Sequence, residues 1–288
     1  MSSGFVILDK PSGMTSRQAA WRVARVFGAK TFGHVGTLDP MASGLLPVAL
    51  GGATKMISFL ELDAGKEYLF SIRWGVRTDS GDLTGRVLEH SGGTPSDLQI
   101  CRAAAKFSGM EYDQAPPMFS AKKVAGVPAY VLARRGIKTE LMPKRVSIFN
   151  LSFDSGIFFV KCGTGTYVRS LVQDIIAAIN EATGQHFTGT CDMIRRVFSN
   201  GFSIKIAQQL DFLEKMSNNA NAAQFLWPLD FGLDGIPVAE IKDARLFRNG
   251  GCVLEPVAEK GLVRVYSGGS FIGMGIAGRG IRPKRVIA

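Results

Sequence analysis

Residues 146–184 read VSIFNLSFDSGIFFVKCGTGTYVRSLVQDIIAAINEATG, and this stretch decides the fold class. Its first part holds two runs rich in β-branched and aromatic residues, separated by Asp154 and Ser155, which predicts two strands joined by a turn. The run that follows has apolar residues at helical spacing and ends near Gly184, which predicts a helix. The apolar residues on one side of this helix are Leu171, Ile175, Ala178 and Ile179.

Strands and helices also alternate irregularly on the N-terminal side of this stretch. FVILD (5–9) predicts a short strand, and SRQAAWRVARVFG (16–28) predicts a helix with Ser16 as its cap. YLFSIRWG (68–75) alternates as a strand does, and TDSGDLTG (78–85) is typical of a loop rich in turns. Strands and helices mixed in this way, without a regular βαβ repeat, predict the α+β class.

A domain boundary is expected near WPLDFGLDGIP, residues 227–237. Beyond it, GLVRVY and SFIGMGIAG are two strand-like runs joined by residues 267–269, which is a hairpin signal. The sequence therefore predicts a larger domain over 1–230 and a small, mostly β domain over 235–288. A domain of about 55 residues has a marginal core, so we expect it to lean on its neighbour.

The chain has 288 residues and a formal net charge of +10, which is unevenly distributed. Residues 116–145 carry seven Lys and Arg against one acid, Glu140, and the final RGIRPKRVIA carries four more cations. The seven cations of this basic segment are Lys122, Lys123, Arg134, Arg135, Lys138, Lys144 and Arg145. Clustered positive charge favours a nucleic acid as partner, although a solvated basic surface has the same pattern.

Several function classes are disfavoured by what the sequence lacks. The four cysteines form no CxxC pair and the three histidines are not at metal-ligand spacing, so we expect no metal, no disulfide framework and a reducing cytoplasm. The N-terminus does not resemble a signal peptide, and no apolar run is long enough to span a bilayer, so no membrane contact is expected. GGATK (51–55) lacks the spacing of a phosphate loop, and no dinucleotide-binding fingerprint is present.

One carboxylate stands alone in GHVGTLDPMASGLLPVALGGATK, residues 33–55. Between His34 and Lys55 the only ionisable side chain is Asp39. Because Pro40 follows it, Asp39 is a good N-cap for a helix. The alternative is a reactive carboxylate that acts as nucleophile or general base. In a partly apolar pocket such a group stays ionised only beside a cation, so this alternative requires an Arg or Lys from elsewhere in the chain.

Three further residues have both an ordinary and a functional interpretation. Tyr68 is either a strand aromatic that faces the core or a platform that stacks on a base. Arg169 lies at an expected helix start, where the helix dipole disfavours a cation. It therefore indicates an acidic partner or a phosphate, unless it is simply exposed. His34, beside a glycine, is by itself compatible with an ordinary loop.

Taken together, six stretches resemble the TruB family of tRNA pseudouridine synthases over nearly the whole chain. The second of them resembles the family motif that holds the catalytic aspartate, here Asp39. Three departures, namely Phe119 for the usual Tyr, Val197 for a frequent Thr and a longer segment between Arg169 and Arg195, concern substrate contacts and loop length rather than the chemistry. The six stretches are LDKPSGMTS (8–16), residues 33–55 as quoted above, KEYLFSIRWGVRTDSGDLTG (66–85), PPMFSAKKVAGVPAYVLARRG (116–136), GTYVRSLVQDI (165–175) and MIRRVFSNGF (193–202).

The resemblance implies a fold, a reaction and a set of site residues. The fold is α+β, with a mixed, mainly antiparallel sheet and flanking helices, followed by a small β-rich PUA-like domain that binds RNA. The reaction isomerises uridine 55 in the T-loop of tRNA to pseudouridine, without a cofactor. Asp39 is the implied nucleophile, Arg169 its cationic partner, and Tyr68 the residue that stacks on the uracil. The implied substrate-binding residues are His34, Tyr167 and Ile194.

The expected partner is the T-arm of tRNA, and the expected state is a cytoplasmic monomer with no obligate protein partner. One alternative keeps the chemistry in a guide-RNA-dependent synthase that acts on ribosomal RNA. Such relatives carry basic extensions, which the N-terminus lacks, so a stand-alone tRNA enzyme is favoured. Another alternative is a tRNA-folding, RNA-binding protein with little catalysis, in which the site residues are vestigial.

Overall fold

The computed structural model describes residues 2–60, 65–120, 122–124, 126–137, 139, 141–216, 220–255 and 259–287. Their contacts divide the chain into two compact units. Unit 1 comprises Met1–Asp39, Leu45–Asp63 and Asn200–Ala288, and unit 2 comprises Pro40–Gly44 and Ala64–Ser199.

The strands in the described residues are β1 (Gly4–Lys10), β2 (Phe32–His34), β3 (Ser43–Leu50), β4 (Lys66–Trp74), β5 (Val76–Thr78), β6 (Val87–His90), β7 (Met110–Gln114), β8 (Lys123–Val124), β9 (Val127–Pro128), β10 (Lys144–Asp154), β11 (Ile157–Cys162), β12 (Gly189–Ser199), β13 (Phe202–Ser203), β14 (Gln208–Gln209), β15 (Val238–Glu240), β16 (Gly261–Ser267), β17 (Ser270–Ala277) and β18 (Ile281–Val286). The α-helices there are α1 (Ser16–Val26), α2 (Ile57–Leu60), α3 (Asp97–Phe107), α4 (Ala129–Arg134), α5 (Val168–Thr183), α6 (Leu210–Met216) and α7 (Ala244–Arg248).

In unit 1, helix α1 begins at Ser16, one residue earlier than a Ser16 cap would require. Thr15 is the N-cap: its hydroxyl accepts the backbone N–H of Gln18, whose side chain in turn accepts the Thr15 N–H at 2.9 Å. This reciprocal pair is a capping box and satisfies two N–H groups that the helix cannot. The predicted cap was therefore wrong by one residue, while the predicted helix is confirmed.

The C-terminal part of unit 1 contains a four-stranded sheet in the order β15-β16-β17-β18. The predicted hairpin is confirmed as β16 and β17, which are joined by Gly268 and Gly269 with φ of 57° and 72°. Positive φ at both positions is typical of a type I′ turn, and glycine adopts it without steric cost. Met274 of β17 and Ile287 belong to the same buried cluster as Phe5 of β1. The C-terminal strands thus lean on the N-terminal part of unit 1, as predicted.

Unit 2 is built on a mainly antiparallel sheet in the order β12-β4-β11-β10-β7. The hairpin of β10 and β11 is confirmed, but its two-residue turn is Ser155-Gly156, because Asp154 pairs with Ile157. Helix α5 ends at Gly184, which has φ 66°. Its buried residues include Val168, Arg169, Leu171, Val172, Ile175, Ile176 and Ile179.

The chain therefore has the α+β class that the sequence predicted, with mixed, mainly antiparallel sheets, flanking helices and a β-rich C-terminal part. Strand β3 starts in unit 2 and continues into unit 1. Its first residues, Ser43 and Gly44, pair in parallel with Arg195 and Arg196 of β12. This pairing matters for the site, because the loop that precedes β3 carries Asp39.

Candidate active site

His34 and Asp39 lie on one connection in unit 1, between the antiparallel strands β2 and β3. His34 is the last residue of β2 and pairs with Val48, while Asp39 is half-buried in the loop that follows. The His34 Nε2 atom is 3.3 Å from the Thr37 hydroxyl. His34 also lines a surface groove together with Arg17 and Lys30. Two cations beside His34 make this groove a suitable place for phosphate groups.

The backbone immediately before Asp39 is fixed by Ser16. The Ser16 hydroxyl donates to the Leu38 carbonyl at 2.9 Å and accepts the Leu38 N–H at 2.8 Å, and both residues are buried. After Asp39 the chain turns at Pro40 and Met41 and enters β3. Because a strand and not a helix follows, the interpretation of Asp39 as a helix N-cap is wrong. The carboxylate instead sits on a rigidly anchored loop.

Tyr68 lies on β4 of unit 2, opposite Arg196 of β12. Tyr68 is buried and Arg196 has no exposed surface at all. The two side chains are hydrogen-bonded, and burial lowers the pKa of the Arg196 guanidinium while this bond acts in the opposite direction. The Arg196 backbone also faces Gly44, where a side chain would not fit: a Cβ there would lie 2.8 Å from the Arg196 nitrogen and closer still to its carbonyl oxygen.

Arg169 lies in the first turn of α5, as predicted, and is 3% exposed. Its guanidinium donates to the carbonyl oxygens of Ser80 at 2.8 Å and of Phe119 at 2.9 Å. Nη1 is also 3.5 Å from the carboxylate of Asp82, which is 4% exposed. The second carboxylate oxygen of Asp82 accepts the N–H and hydroxyl of Thr84 at 2.9 and 2.6 Å. A buried carboxylate with its own hydrogen bonds therefore holds Arg169.

Tyr167 and Ile194 flank these residues in unit 2. Tyr167 is the half-buried N-cap residue of α5, and its backbone N–H donates to the side chain of Gln114 at 2.8 Å. Ile194 is buried on β12, next to Phe70 of β4. The structure thus brings Tyr68, Arg169, Tyr167 and Ile194 into one unit, and His34 and Asp39 into the other.

Sequence reasoning missed three residues that support this site. Asp82 lay in a loop rich in turns, Arg196 lay in the stretch 193–202 without a role of its own, and Gln114 belonged to no motif. Only one signal pointed to any of them, namely that Arg169 at a helix start indicated an acidic partner or a phosphate. Asp82 is such a partner.

The basic segment 116–145 belongs to unit 2 and is described except at a few positions. Lys122 donates to the Met142 carbonyl at 2.8 Å, and Arg145 lies 3.8 and 3.9 Å from two exposed carboxylates of β7. Lys138 and Glu140, which the sequence analysis counted, lie outside the described residues. Among its cations whose burial is described, Arg135, Lys144 and Arg145 are exposed and Lys122 is half-buried.

The described part of the chain contains no group of three or more His, Cys, Asp or Glu side chains placed to hold a metal ion. All four cysteines are free thiols, and burial raises the pKa of Cys162 to about 11. Within the described residues, no helix is both long and apolar enough to cross a membrane.

Two family models and several curated proteins match the sequence of this chain. The model described as "TruB family pseudouridylate synthase (N terminal domain)" matches residues 24–168, and "Pseudouridine synthase II TruB, C-terminal" matches residues 240–287. A tRNA pseudouridine synthase B from Caulobacter vibrioides is 42% identical over 255 residues, covering 85% of this chain and 79% of that protein. Another, from Dechloromonas aromatica, is 38% identical over 293 residues, covering 99% and 95%.

Among solved structures, the crystal structure of a Cbf5-Nop10-Gar1 complex matches with a TM-score of 0.68 at 23% identity, over 98% of this chain and 84% of that chain. At this identity the match shows a shared fold. The family models and the relatives go further: the models match residues 24–168 and 240–287, and the relative from Dechloromonas aromatica covers nearly the whole chain at 38% identity. The chain belongs to the TruB family of pseudouridine synthases.

Proposed function

We propose that this enzyme isomerises uridine 55 in the T-loop of tRNA to pseudouridine, with Asp39 as the nucleophile. The observation that carries the proposal is the similarity to proteins named tRNA pseudouridine synthase B, which extends over 99% of the chain in one of them. The motif that holds Asp39 lies within the matched N-terminal family model.

The reaction conserves every atom. The glycosidic bond between C1′ and N1 breaks, the uracil turns while it stays in the pocket, and a new bond forms between C1′ and C5. The proton leaves C5, and N1 gains one. In our proposal Asp39 attacks the nucleotide and forms a bond that breaks again before the product leaves, and Arg169 keeps the carboxylate ionised by offering a positive charge. The Ser16–Leu38 hydrogen bonds support this role, because they fix the loop from which Asp39 attacks.

Tyr68 stacks on the uracil and assists removal of the C5 proton. The hydrogen bond from Arg196 supports this assignment, because a guanidinium beside the phenol oxygen orients the ring and stabilises negative charge that develops there. Tyr167 and Ile194 line the uracil pocket, and His34 contacts the RNA near the space that the base vacates. The base is stacked within the folded loop of the free tRNA, so it must flip out before attack.

The remaining protein surface binds the tRNA. We assign phosphate contacts to the basic segment 116–145 and RNA binding to a PUA-like domain over 235–288, with the catalytic domain over 1–230. The positive charge of the first and the separate family match of the second support these assignments. We further propose a monomer that needs no protein partner and that works in the cytoplasm, where its tRNA substrate is found.

A tritium-release assay tests the proposal. An unmodified tRNA transcript with tritium at C5 of its T-loop uridine should release tritium with the wild type and not with Asp39→Asn. Asp154, the exposed last residue of β10, provides the control: Asp154→Asn makes the same change in charge and should leave the rate unchanged. Both variants should bind tRNA like the wild type. Substantial release by Asp39→Asn would remove Asp39 as the nucleophile.

Mapping the modified position separates the alternatives. Pseudouridine at position 55 supports the proposal, whereas modification only of ribosomal RNA in the presence of a guide would favour the guide-dependent alternative. Tight tRNA binding without any tritium release would favour an RNA-folding protein with vestigial site residues.

A further inference from the structure

Helix α5, which carries Arg169, is capped by a side chain from outside the helix. Its N-cap residue is Tyr167, whose own side chain makes no capping hydrogen bond. Gln114, the last residue of β7, accepts the Tyr167 N–H on its Oε1 atom at 2.8 Å. One residue further, the Ala115 carbonyl accepts the Ser170 hydroxyl at 2.7 Å. The end of β7 therefore fixes the start of α5 at two points.

The orientation of the Gln114 amide is determined by these neighbours. Because a backbone N–H can only donate, the Gln114 oxygen must face Tyr167 and its NH₂ group must face the other way. There Nε2 donates to the Tyr112 hydroxyl at 2.8 Å and lies 3.5 Å from Asp174 Oδ2. The Tyr112 hydroxyl, already an acceptor, donates its proton to the same Asp174 oxygen at 2.7 Å.

These groups form one directed chain of hydrogen bonds, from the Tyr167 N–H through Gln114 and Tyr112 to the Asp174 carboxylate. Gln114 is only 2% exposed, so a reversed amide would leave two donors facing each other without water to compensate. Burial raises the pKa values of Tyr112 and Asp174, and for Asp174 the hydrogen bonds from Tyr112 and Gln114 oppose this effect. This series of hydrogen bonds therefore permits only one orientation of the Gln114 amide.

We propose that Gln114, held in one orientation by Tyr112 and Asp174, is a positioning residue that sets the first turn of α5 and thereby the placement of Tyr167 and Arg169 for catalysis. This inference rests on the proposed function of those two residues. Displacement of a catalytic group by about 1 Å can cost on the order of 100-fold in rate, so loss of this anchor should reduce turnover far more than tRNA binding.

The chain offers a matched control in the same unit. Gln99 also accepts, at 2.7 Å, the backbone N–H of a helix N-cap residue, Ser96, but helix α3 that follows carries none of the proposed site residues. Gln114→Leu should slow single-turnover tritium release by about 10- to 100-fold with nearly unchanged affinity for tRNA. Gln99→Leu should leave the rate at the wild-type level. Equal rates for the two variants would overturn the inference.

A second pair of variants tests the orienting role of Asp174 without touching Gln114. Asp174→Asn keeps an oxygen that can accept the Tyr112 hydroxyl. The direction of the hydrogen bonds is therefore unchanged, and the rate should stay close to that of the wild type. Asp174→Leu removes the acceptor, so the hydroxyl of the half-buried Tyr112 can donate to the Gln114 oxygen in competition with the Tyr167 N–H, and turnover should slow as in Gln114→Leu. If both Asp174 variants turned over alike, the directed chain would be refuted.

Hydrogen exchange provides a readout that does not depend on activity. In Gln114→Leu, amide exchange in the peptide 163–172 should accelerate, whereas Gln99→Leu should accelerate exchange only at the start of α3. An inactive wild type would refute the proposed function and, with it, this catalytic role. An active wild type with unchanged exchange and unchanged rate in Gln114→Leu would refute the positioning role alone.

Discussion

Replacing Asp82 by Asn tests whether the buried ion pair holds Arg169 in place. The two side chains are 4% and 6% exposed and their charged atoms are 3.5 Å apart. At an effective dielectric constant of about 20, this separation corresponds to about 5 kcal/mol of attraction. The asparagine can keep its oxygen toward Thr84, but its NH₂ group then faces the guanidinium, so two donors meet. We expect the free energy of unfolding to fall by ~3–5 kcal/mol, as when one partner of a buried pair is removed.

Asp192→Asn is the control, because it removes one negative charge from the same unit. Asp192 pairs with Arg73 at 3.3 Å, but those side chains are 32% and 61% exposed. A pair this open to solvent contributes only ~0–1 kcal/mol. Urea unfolding measures both free energies, and single-turnover tritium release should fall only for Asp82→Asn, because its Arg169 is no longer held. A loss of stability for Asp82→Asn within about 1 kcal/mol of the control would refute this reasoning.

Three other changes follow from local geometry and are checked by simpler measurements. Gly44→Ala should lower the free energy of unfolding by ~2–5 kcal/mol, because Gly44 has φ 99° and an added Cβ would clash with the β12 backbone. Gly156 has a similar φ of 86° but open space around it, so Gly156→Ala should lower the free energy of unfolding by only ~1–2 kcal/mol. At about pH 8, iodoacetamide should label the exposed Cys101 in the native protein but not Cys162, because burial raises the pKa of the Cys162 thiol to about 11. Mass spectrometry would detect the adducts. Thr15→Ala removes the cap of α1 and should cost ~1 kcal/mol in the same unfolding assay.

Strands β1, β4, β10, β11, β16 and β17 and helices α1 and α5 were predicted because each is encoded by local periodicity and turn residues. The error at the start of α1 shows a feature that the local sequence does not determine. Ser16 is as good a helix cap as Thr15 in isolation. Its hydroxyl is instead occupied by the backbone of Leu38, 22 residues away, and this contact exists only in the folded chain. Where a side chain has two competing hydrogen-bond partners, the tertiary structure determines which of them it binds.

At the candidate site, the sequence likewise indicated the kind of partner that Arg169 has but not which residue it is. The helix dipole indicated an acidic neighbour or a phosphate for Arg169, and that indication is local. That the neighbour is Asp82, 87 positions earlier in the chain, depends on how the loop after β5 meets α5. The orientation of the Gln114 amide was likewise not predictable from the sequence, because it depends on the side chains of Tyr112 and Asp174, which lie on different elements. Sequence motifs identify the groups that react, whereas the residues that hold them come from packing.

The C-terminal strands show why a family boundary and a folding boundary need not coincide. The separate family match over 240–287 marks a segment with its own evolutionary pattern and its own small core, which includes Phe247 and Val265. Yet Met274 and Ile287 are buried in the same cluster as Phe5 and Leu45, and contacts group all of them into unit 1. Removing the segment would expose that cluster to water. A loss of RNA affinity after truncation would therefore not separate lost RNA contacts from lost stability. Only substitution of exposed cations, which leaves the shared core intact, isolates the contribution of these strands to RNA binding.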